Sequence, residues 1–402
     1  MATFDPSSRE AAARAEIDAT SIAPGVRTLL VGAFLATLAV GPLSELAAVL
    51  RGASRLVAPL PAAADSGGGL AGELARWRAT IAELETRWDE RTALVRGVRP
   101  WAQQFFTAGL GYGNERVLVG RDGWLFYRND FEQVVSHAPA VGPGGRITSV
   151  IVDFRDQLAE RGIRLLLVPV PVKPTIHAER LSGQRSSRPV RRRGEEDLLA
   201  DLAARGVEVL DLAAQLARDA QLAPIYLATD THWRPEVVEI AAREIALRLR
   251  ATVELPSGEP ERFRDEASLV YAPGDMVQML ELPAATRHFP DERVQPRTVL
   301  TDPGTLIDGP GAPVLLLGDS FAGIYGGDRW GVAAGLRHRL AYELGLPVAF
   351  IAQAGGGASR TRTSLADRLA RDPEFLAGVR AVVWEFAARE LSQGDWRIVE
   401  LP

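Results

Sequence analysis

Val314 to Ser320 read VLLLGDS, four consecutive apolar residues running into Gly-Asp-Ser. A short, wholly apolar run that stops at a turn signal predicts a strand buried on both faces. Such strands belong to parallel sheets covered by helices on either side. The flanking sequence agrees. Ahead of it stand a helical pattern over Ile147–Arg161, a strand over Leu165–Val172, a helix over Glu196–Arg205, a strand over Val207–Leu210 and a helix over Pro235–Arg250. Behind it follow a helical stretch Leu336–Leu344, a strand Val348–Ile351, a helix Thr361–Leu369 and a strand Ala381–Trp384. This alternation predicts an α/β domain of three layers, a mainly parallel sheet with helices on both faces. Residues 251–311, rich in proline and acidic residues and without a period, are expected to be an insertion of loops and short strands. At Val117–Tyr127 (VLVGRDGWLFY), an Asp-Gly pair between two runs rich in Val, Phe and Tyr predicts a β-hairpin.

The carboxyl ends of parallel strands are where such sheets bind ligands, so Ser320 stands at the functional edge. A serine becomes a nucleophile when a histidine takes its proton and a carboxylate orients that histidine. Of the five histidines, His232 lies in Thr229–Trp233 (TDTHW), two residues after Asp230 and just before Pro235 starts a helix. Ser320, His232 and Asp230 are therefore the candidate nucleophile, acid-base and orienting carboxylate. Each motif also has a plain structural reading: Gly-Asp-Ser is a common tight turn, and Asp230 or Thr231 can cap the helix while His232 packs. A metal site, the rival for Asp230 and His232, gathers three or four ligands, and no second histidine or acidic cluster stands at ligand spacing nearby. Neither a metal nor another cofactor is expected. For an oxyanion the candidate donors are the Ser320 amide and the glycine run Gly355–Gly357, chiefly Gly355 and Gly356, which also reads as a strand-to-helix turn. Asp319 reads as a cap or a brace for the loop.

Thr28–Leu43 (TLLVGAFLATLAVGPL) is sixteen residues without a charge, directly after Arg27. It reads as an uncleaved membrane anchor over 28–46, with 1–27 in the cytoplasm and the rest of the chain outside; a cleaved signal peptide and a buried helix are the alternatives. A small-residue linker over 47–70 and a helical segment over 71–112 follow, with Leu74, Trp77, Ile81, Leu84, Trp88 and Leu94 on one face. The main domain is expected over 113–402. The 402 residues are 47% apolar and 24% charged, proportions of a folded globular chain. A net charge of −5 argues against a nucleic-acid partner, and without cysteine there is neither disulfide nor thiolate chemistry.

With these pieces assembled, the chain resembles the alginate O-acetyltransferase family, the AlgJ and AlgX type of SGNH hydrolase-like domain. The resemblance rests on GRDGWLFY (120–127), PVPVKPT (169–175), TDTHW (229–233), LGDSF (317–321) and VWEF (383–386), spread over roughly residues 115–390. The Asp-x-His pair precedes the Gly-Asp-Ser strand, the circularly permuted order of that family. The resemblance implies a flavodoxin-like SGNH fold and an acetyl group carried as an ester on Ser320. It further implies that His232 acts as base and then acid, that Asp230 orients it, and that a hydroxyl of an alginate-like exopolysaccharide is the acceptor. It also implies a multispanning membrane acyltransferase as the partner that supplies acetyl groups, and work at the periplasmic face of the cytoplasmic membrane. Because the chain stops at Pro402, soon after VWEF, the membrane-anchored AlgJ type is the closer expectation. A carbohydrate acetylesterase using the same residues, or a non-catalytic scaffold of a polysaccharide export complex, are the alternatives.

Further polar residues carry expectations of their own. Lys173, after a strand at the functional edge, and Arg360, beyond the glycine run, are candidates to meet a uronate carboxylate or to stand solvated. Arg185–Arg193 (RSSRPVRRR) concentrates five arginines in nine residues, a candidate patch for an acidic polysaccharide or a solvated loop. Trp384 and Glu385 read as packing and buttressing.

Overall fold

Five strands form the sheet that positions everything else: β1 (Arg164–Val170), β2 (Glu208–Val209), β3 (Val314–Gly318), β4 (Val348–Ala352) and β5 (Ala381–Ala387). All pair in parallel, in the order β4-β3-β5-β1-β2. The computed structural model describes residues 24–51, 93–136, 145–303, 307, 311–353, 355 and 357–402. Every residue of β3 and β5 is buried, as wholly apolar strands require when both faces are covered. Alternation along each strand sends successive side chains to opposite faces. Leu166, Val168, Leu316 and Val383 enter one core, and Leu165, Leu167, Leu315, Leu317, Val382 and Trp384 enter the other.

Helices close both faces. Ala213–Asp219, Pro235–Thr252 and Leu336–Leu344 cover the first core. Arg146–Ala159, Glu195–Ala204 and Gly357–Arg371 cover the second. The three-layer α/β architecture expected from the alternation is thus observed. The insertion contains two small antiparallel sheets, Phe263–Ala267 with Arg297–Thr301 and Val270–Ala272 with Glu292–Val294. The expected 117–127 hairpin forms, with Val117 opposite Tyr127. Its turn needs Asp122 at φ 54°, a left-handed conformation that aspartate tolerates better than most residues. Val117 and Leu125 pack with Met276 and Leu280, so hairpin and insertion share a small core of their own.

Strand order explains where a site forms. The pair β1-β2 extends to one side, the pair β3-β4 to the other, and β5 fills the gap between β1 and β3. Such a reversal opens a crevice at the carboxyl ends of the central strands.

The chain divides into two compact units, the second running from Gln103 to Pro402. In the first, Pro24–Leu50 is one helix of 27 residues, with Leu29, Leu30, Phe34, Leu35 and Leu43 exposed. Among the described residues no helix is long and apolar enough to cross a membrane. The expectation of a span over 28–46 meets this limit because the uncharged run Thr28–Ser44 falls short of the ~20 residues a span takes, and Glu45 follows it. Residues 47–50, expected to open the linker, instead end the helix Pro24–Leu50, while 52–70 of the linker and 71–92 of the helical segment expected over 71–112 lie outside the described residues, as does Gly356.

Candidate active site

Gly318 ends β3 where no larger residue fits: a Cβ there would lie 2.4 Å from the Ala322 Cβ and 3.0 Å from Glu385 Oε2. That close approach lets the chain turn sharply into Ser320–Gly323, a single helical turn. Asp319 both caps and braces it. Its Oδ1 accepts from the Phe321 amide at 2.8 Å and its Oδ2 from the Ala387 amide, at the end of β5, at 2.9 Å. Glu385, fully buried on β5, accepts the Asp319 amide at 3.1 Å through Oε2, while its Oε1 has no partner. Burial, then the adjacent Asp319 charge, pushes the Glu385 carboxyl well above its ordinary range, so it resists ionising beneath the turn. The buttressing expected of Glu385 is what it does.

Asp230 and His232 sit at the tip of a tight loop whose base is the Tyr226–Trp233 bridge. His232 Nδ1 is 2.7 Å from Asp230 Oδ1, which also accepts the His232 amide at 3.1 Å. Asp230 Oδ2 accepts the Asp275 amide at 2.8 Å and Arg329 Nη2 at 3.1 Å. Burial alone would raise the pKa of this carboxyl, but the donors outweigh it, His232 first, and the pKa falls below the ordinary value. For His232 burial lowers the pKa, yet the hydrogen bond and charge of Asp230 prevail and raise it. The Nε2 of His232 is buried with no hydrogen-bond partner among the described residues.

Two hydrogen bonds tie this loop to the serine turn. The Trp233 indole donates to the Phe321 carbonyl at 3.1 Å, and the Tyr325 hydroxyl donates to the Trp233 carbonyl at 2.9 Å. Tyr325 is held at φ 66°, strained for a bulky residue. The Phe321 ring lies 4.9 Å from the His232 ring. Ser320, half-buried and next in sequence to Phe321, thus shares one locus with Asp230 and His232, without a hydrogen bond from His232 Nε2. Catalytic hydrogen bonds are often long in unliganded sites.

Asp275 is the neighbour that the sequence did not announce, 45 residues beyond Asp230. Its Oδ1 accepts the Thr231 amide at 2.8 Å and its Oδ2 lies 3.9 Å from His232 Nδ1. Burial, then the Asp230 charge, raises its pKa. Asp230, His232 and Asp275 offer three ligand atoms within 4.8 Å of one another, a set able to hold a cation. The donors already on Asp230, Arg329 among them, would compete with an ion there.

A family profile described as "SGNH hydrolase-like domain, acetyltransferase AlgX" matches residues 117–388, most of the chain and every residue of this locus. The chain belongs to that family. Among curated relatives, "Probable alginate O-acetylase AlgJ" of Pseudomonas fluorescens is 28% identical over 79% of this chain and 78% of its own length. Its namesake in Pseudomonas aeruginosa is 26% identical over 78% and 82%. Among solved structures, the O-acetyltransferase domain of Pseudomonas putida AlgJ superposes with a TM-score of 0.54 at 26% identity, covering 69% of this chain and 93% of that one.

Two expectations within this AlgX-type domain need correction or narrowing. Lys173 is not a free cation for a substrate carboxylate: it is 1% exposed, and its ammonium donates to the carbonyls of Leu125 at 2.9 Å and Ala228 at 3.3 Å. It lies 5.6 Å from the rings of Trp124 and Phe126, and burial lowers its pKa to about 8. Lys173 is therefore a rivet between the 117–127 hairpin and the loop that carries Asp230. Of the five arginines in 185–193, Arg191 is held by Glu195 and Asp211 and Arg192 is buried, leaving Arg185, Arg188 and Arg193 exposed. Arg360 is exposed on the first turn of Gly357–Arg371. Gly355 is exposed in the turn after β4 at φ 66°, and β4 brings that turn to the carboxyl edge of the sheet by pairing Ala352 with Gly318.

Proposed function

We propose that this chain is an O-acetyltransferase that moves acetyl groups onto hydroxyls of an alginate-like polyuronate. His232 Nε2 takes the proton of the Ser320 hydroxyl as its oxygen attacks the acetyl carbonyl of the donor. The proton then passes to the leaving group, and the acetyl group remains as a serine ester. A sugar hydroxyl attacks that ester, giving its proton to His232, which returns it to Ser320 as the ester breaks. Asp230 holds the Nδ1 proton, so that Nε2 presents its lone pair, and stabilises the imidazolium. The amide of Ser320 and those of the 355–357 turn are the proposed oxyanion donors, and Arg360 stands at the same edge to meet acceptor carboxylates.

The observation that carries this reading is the buried Asp230–His232 hydrogen bond beside the serine turn, with Nε2 free of any hydrogen-bond partner among the described residues. We further propose that the helix Pro24–Leu50 keeps the domain at the periplasmic face of the cytoplasmic membrane, beside a multispanning acyltransferase that supplies the acetyl groups. Its exposed Leu and Phe side chains support this. The test is Ser320→Ala in cells that make the polymer: acetylation should be lost, and mass spectrometry of the wild-type protein incubated with an acetyl donor should find acetyl on Ser320. Unchanged polymer acetylation in the variant would defeat the reading.

A further inference from the structure

A cavity of about 160 Å³ opens beside the hairpin and away from the serine turn, lined by Trp124, His177, Glu179, Arg180, Arg185 and the 220–224 turn. Its walls are built rather than incidental. His177 accepts the Ile225 amide at 3.1 Å on Nε2, so its Nδ1 proton goes to Glu179 at 3.1 Å. The ring is thereby fixed as a neutral tautomer with both nitrogens used, and burial lowers its pKa. It packs 4.6 Å from the Trp124 ring, whose surroundings also include the Arg180 guanidinium at 5.1 Å. None of these groups belongs to the acetyl-transfer machinery, and Lys173, which lies against the Trp124 ring, connects the cavity wall to the loop of Asp230 through the Leu125 and Ala228 carbonyls.

The charge around the cavity runs against that of the whole chain. Net charge is −5 overall, yet Arg180 and Arg185 line the cavity and Arg121 lies against Gly183, which falls between them in sequence. Gly183, at φ 79°, leaves room for the Arg121 guanidinium, which a Cβ would meet at 2.8 Å. Arg180 is shared with Asp122 at 2.6 Å and lies 3.7 Å from Glu179. Arg185 is exposed and forms no ion pair with the described residues. Three guanidinium groups against the two carboxylates of Glu179 and Asp122 leave a local excess of positive charge. Arginine recognises carboxylates by paired N–H donors, while Glu179 and Gln221 can meet hydroxyls. The volume is below the ~300 Å³ at which drug-sized pockets begin, so it suits one small polar unit and not an extended ligand.

We propose that this cavity is an accessory subsite for one carboxylate-bearing sugar unit, gripping the acceptor polymer away from the ester on Ser320. The inference rests on the polyuronate reading and deepens it. Its test is binding of a de-acetylated oligomannuronate, with a neutral oligoglucose of equal length as control, to the full chain carrying Ser320→Ala. Arg185→Glu should weaken oligomannuronate binding at least ten-fold, whereas Arg243→Glu, a reversal on Pro235–Thr252, should leave it unchanged. In the Ser320 protein, Arg185→Glu should raise KM for the oligomer and leave hydrolysis of a small acetyl ester unaffected. Equal weakening by both reversals, no effect of Arg185→Glu, or no binding by the parent protein would overturn the subsite. If the oligomer is acetylated but indifferent to Arg185→Glu, the subsite fails while the transferase reading stands. If binding depends on Arg185 but no acetylation occurs, the subsite stands and the transferase reading fails.

Discussion

Asp230→Asn is the sharpest perturbation of this site, because the carboxylate is fully buried and four N–H donors converge on it. Oδ1 takes the His232 amide and Nδ1, and Oδ2 takes the Asp275 amide and Arg329. An asparagine offers one oxygen, so either orientation turns an NH₂ group toward two donors. If the NH₂ faces His232, Nδ1 must become the acceptor and Nε2 carries the proton, which disables the base. If it faces Asp275 and Arg329, the buried loop loses both of those bonds. Hydrogen bonds to a charged group contribute about 1.5–3 kcal/mol each, so two lost bonds cost on the order of 3–6 kcal/mol. The wrong tautomer in a serine-histidine site costs roughly 10⁴ in kcat. The variant should therefore hydrolyse p-nitrophenyl acetate on the order of 10⁴ more slowly, with a lower melting temperature and little change in KM. The pH profile adds a second readout. The base works only when neutral, and Asp230 raises the His232 pKa against the opposing pull of burial. Activity in the wild type thus falls on acidification at a pH above the ordinary histidine value, and in the variant the acid limb should move down. A kcat within about ten-fold of wild type, far short of the tautomer penalty, with an unmoved acid limb would refute the assignment of Asp230.

Gly318→Ala should cost about 1–3 kcal/mol of stability through overpacking against Ala322 and reduce kcat more than KM, since the turn that carries Ser320 must shift; circular dichroism melts and esterase kinetics check both. Glu385→Gln should flatten the pH dependence of stability. The folded state keeps a proton on Glu385 well above the ordinary carboxyl range, so wild-type stability declines as pH rises from about 4.3, the unfolded value, toward that raised value, and the neutral glutamine has no such decline in melting temperature. Lys173→Met should lower the melting temperature, because the Leu125 carbonyl loses its ammonium donor at about 1–3 kcal/mol, while the Ala228 carbonyl keeps the Leu125 amide. With the folded Lys173 at about 8 and its ordinary value at 10.5, the wild type gains stability across that window as pH rises, and the variant should not. Removing the residues ahead of Gln103 should move the protein from the membrane fraction to the soluble fraction with its fold intact; a full chain already soluble would count against the anchoring role of Pro24–Leu50.

Much of the fold was legible because its strands are buried on both faces and therefore read as uninterrupted apolar runs. Leu336–Leu344 begins and ends where its pattern does, and Arg146–Ala159 and Glu195–Ala204 differ from expectation by one or two residues. What escaped were elements whose pattern is too short to carry a period, such as Ala213–Asp219, seven residues long. The candidate triad was legible for another reason: Asp230 and His232 are close in sequence, and Ser320 marks the end of an unmistakable strand. Asp275 and Arg329 carried no such signal. They reach Asp230 through the insertion and through the 327–332 hairpin, and only tertiary structure brings them there. Lys173 misled because a lysine at a strand end is ordinarily solvated, and nothing local reveals that the hairpin 48 residues earlier will bury it.

The site's carboxyl groups divide by how many donors each receives. Asp230 collects four N–H groups and stays charged despite complete burial, whereas Asp275 collects one on its side chain from the Thr231 amide, and its pKa rises. Under the serine turn, Asp319 takes two backbone amides while Glu385 takes one and leaves Oε1 without a partner. Asp230 is favoured as the anion while Asp275 resists ionising, and Glu385 resists it under the serine turn, which is how like groups can share a buried space without two charges. The consequence for chemistry is specific. A second full charge beside His232 would raise its pKa further and hold it as imidazolium, unable to take the Ser320 proton. Keeping Asp275 reluctant to ionise leaves Asp230 to orient the ring and to support the cation only when the proton arrives.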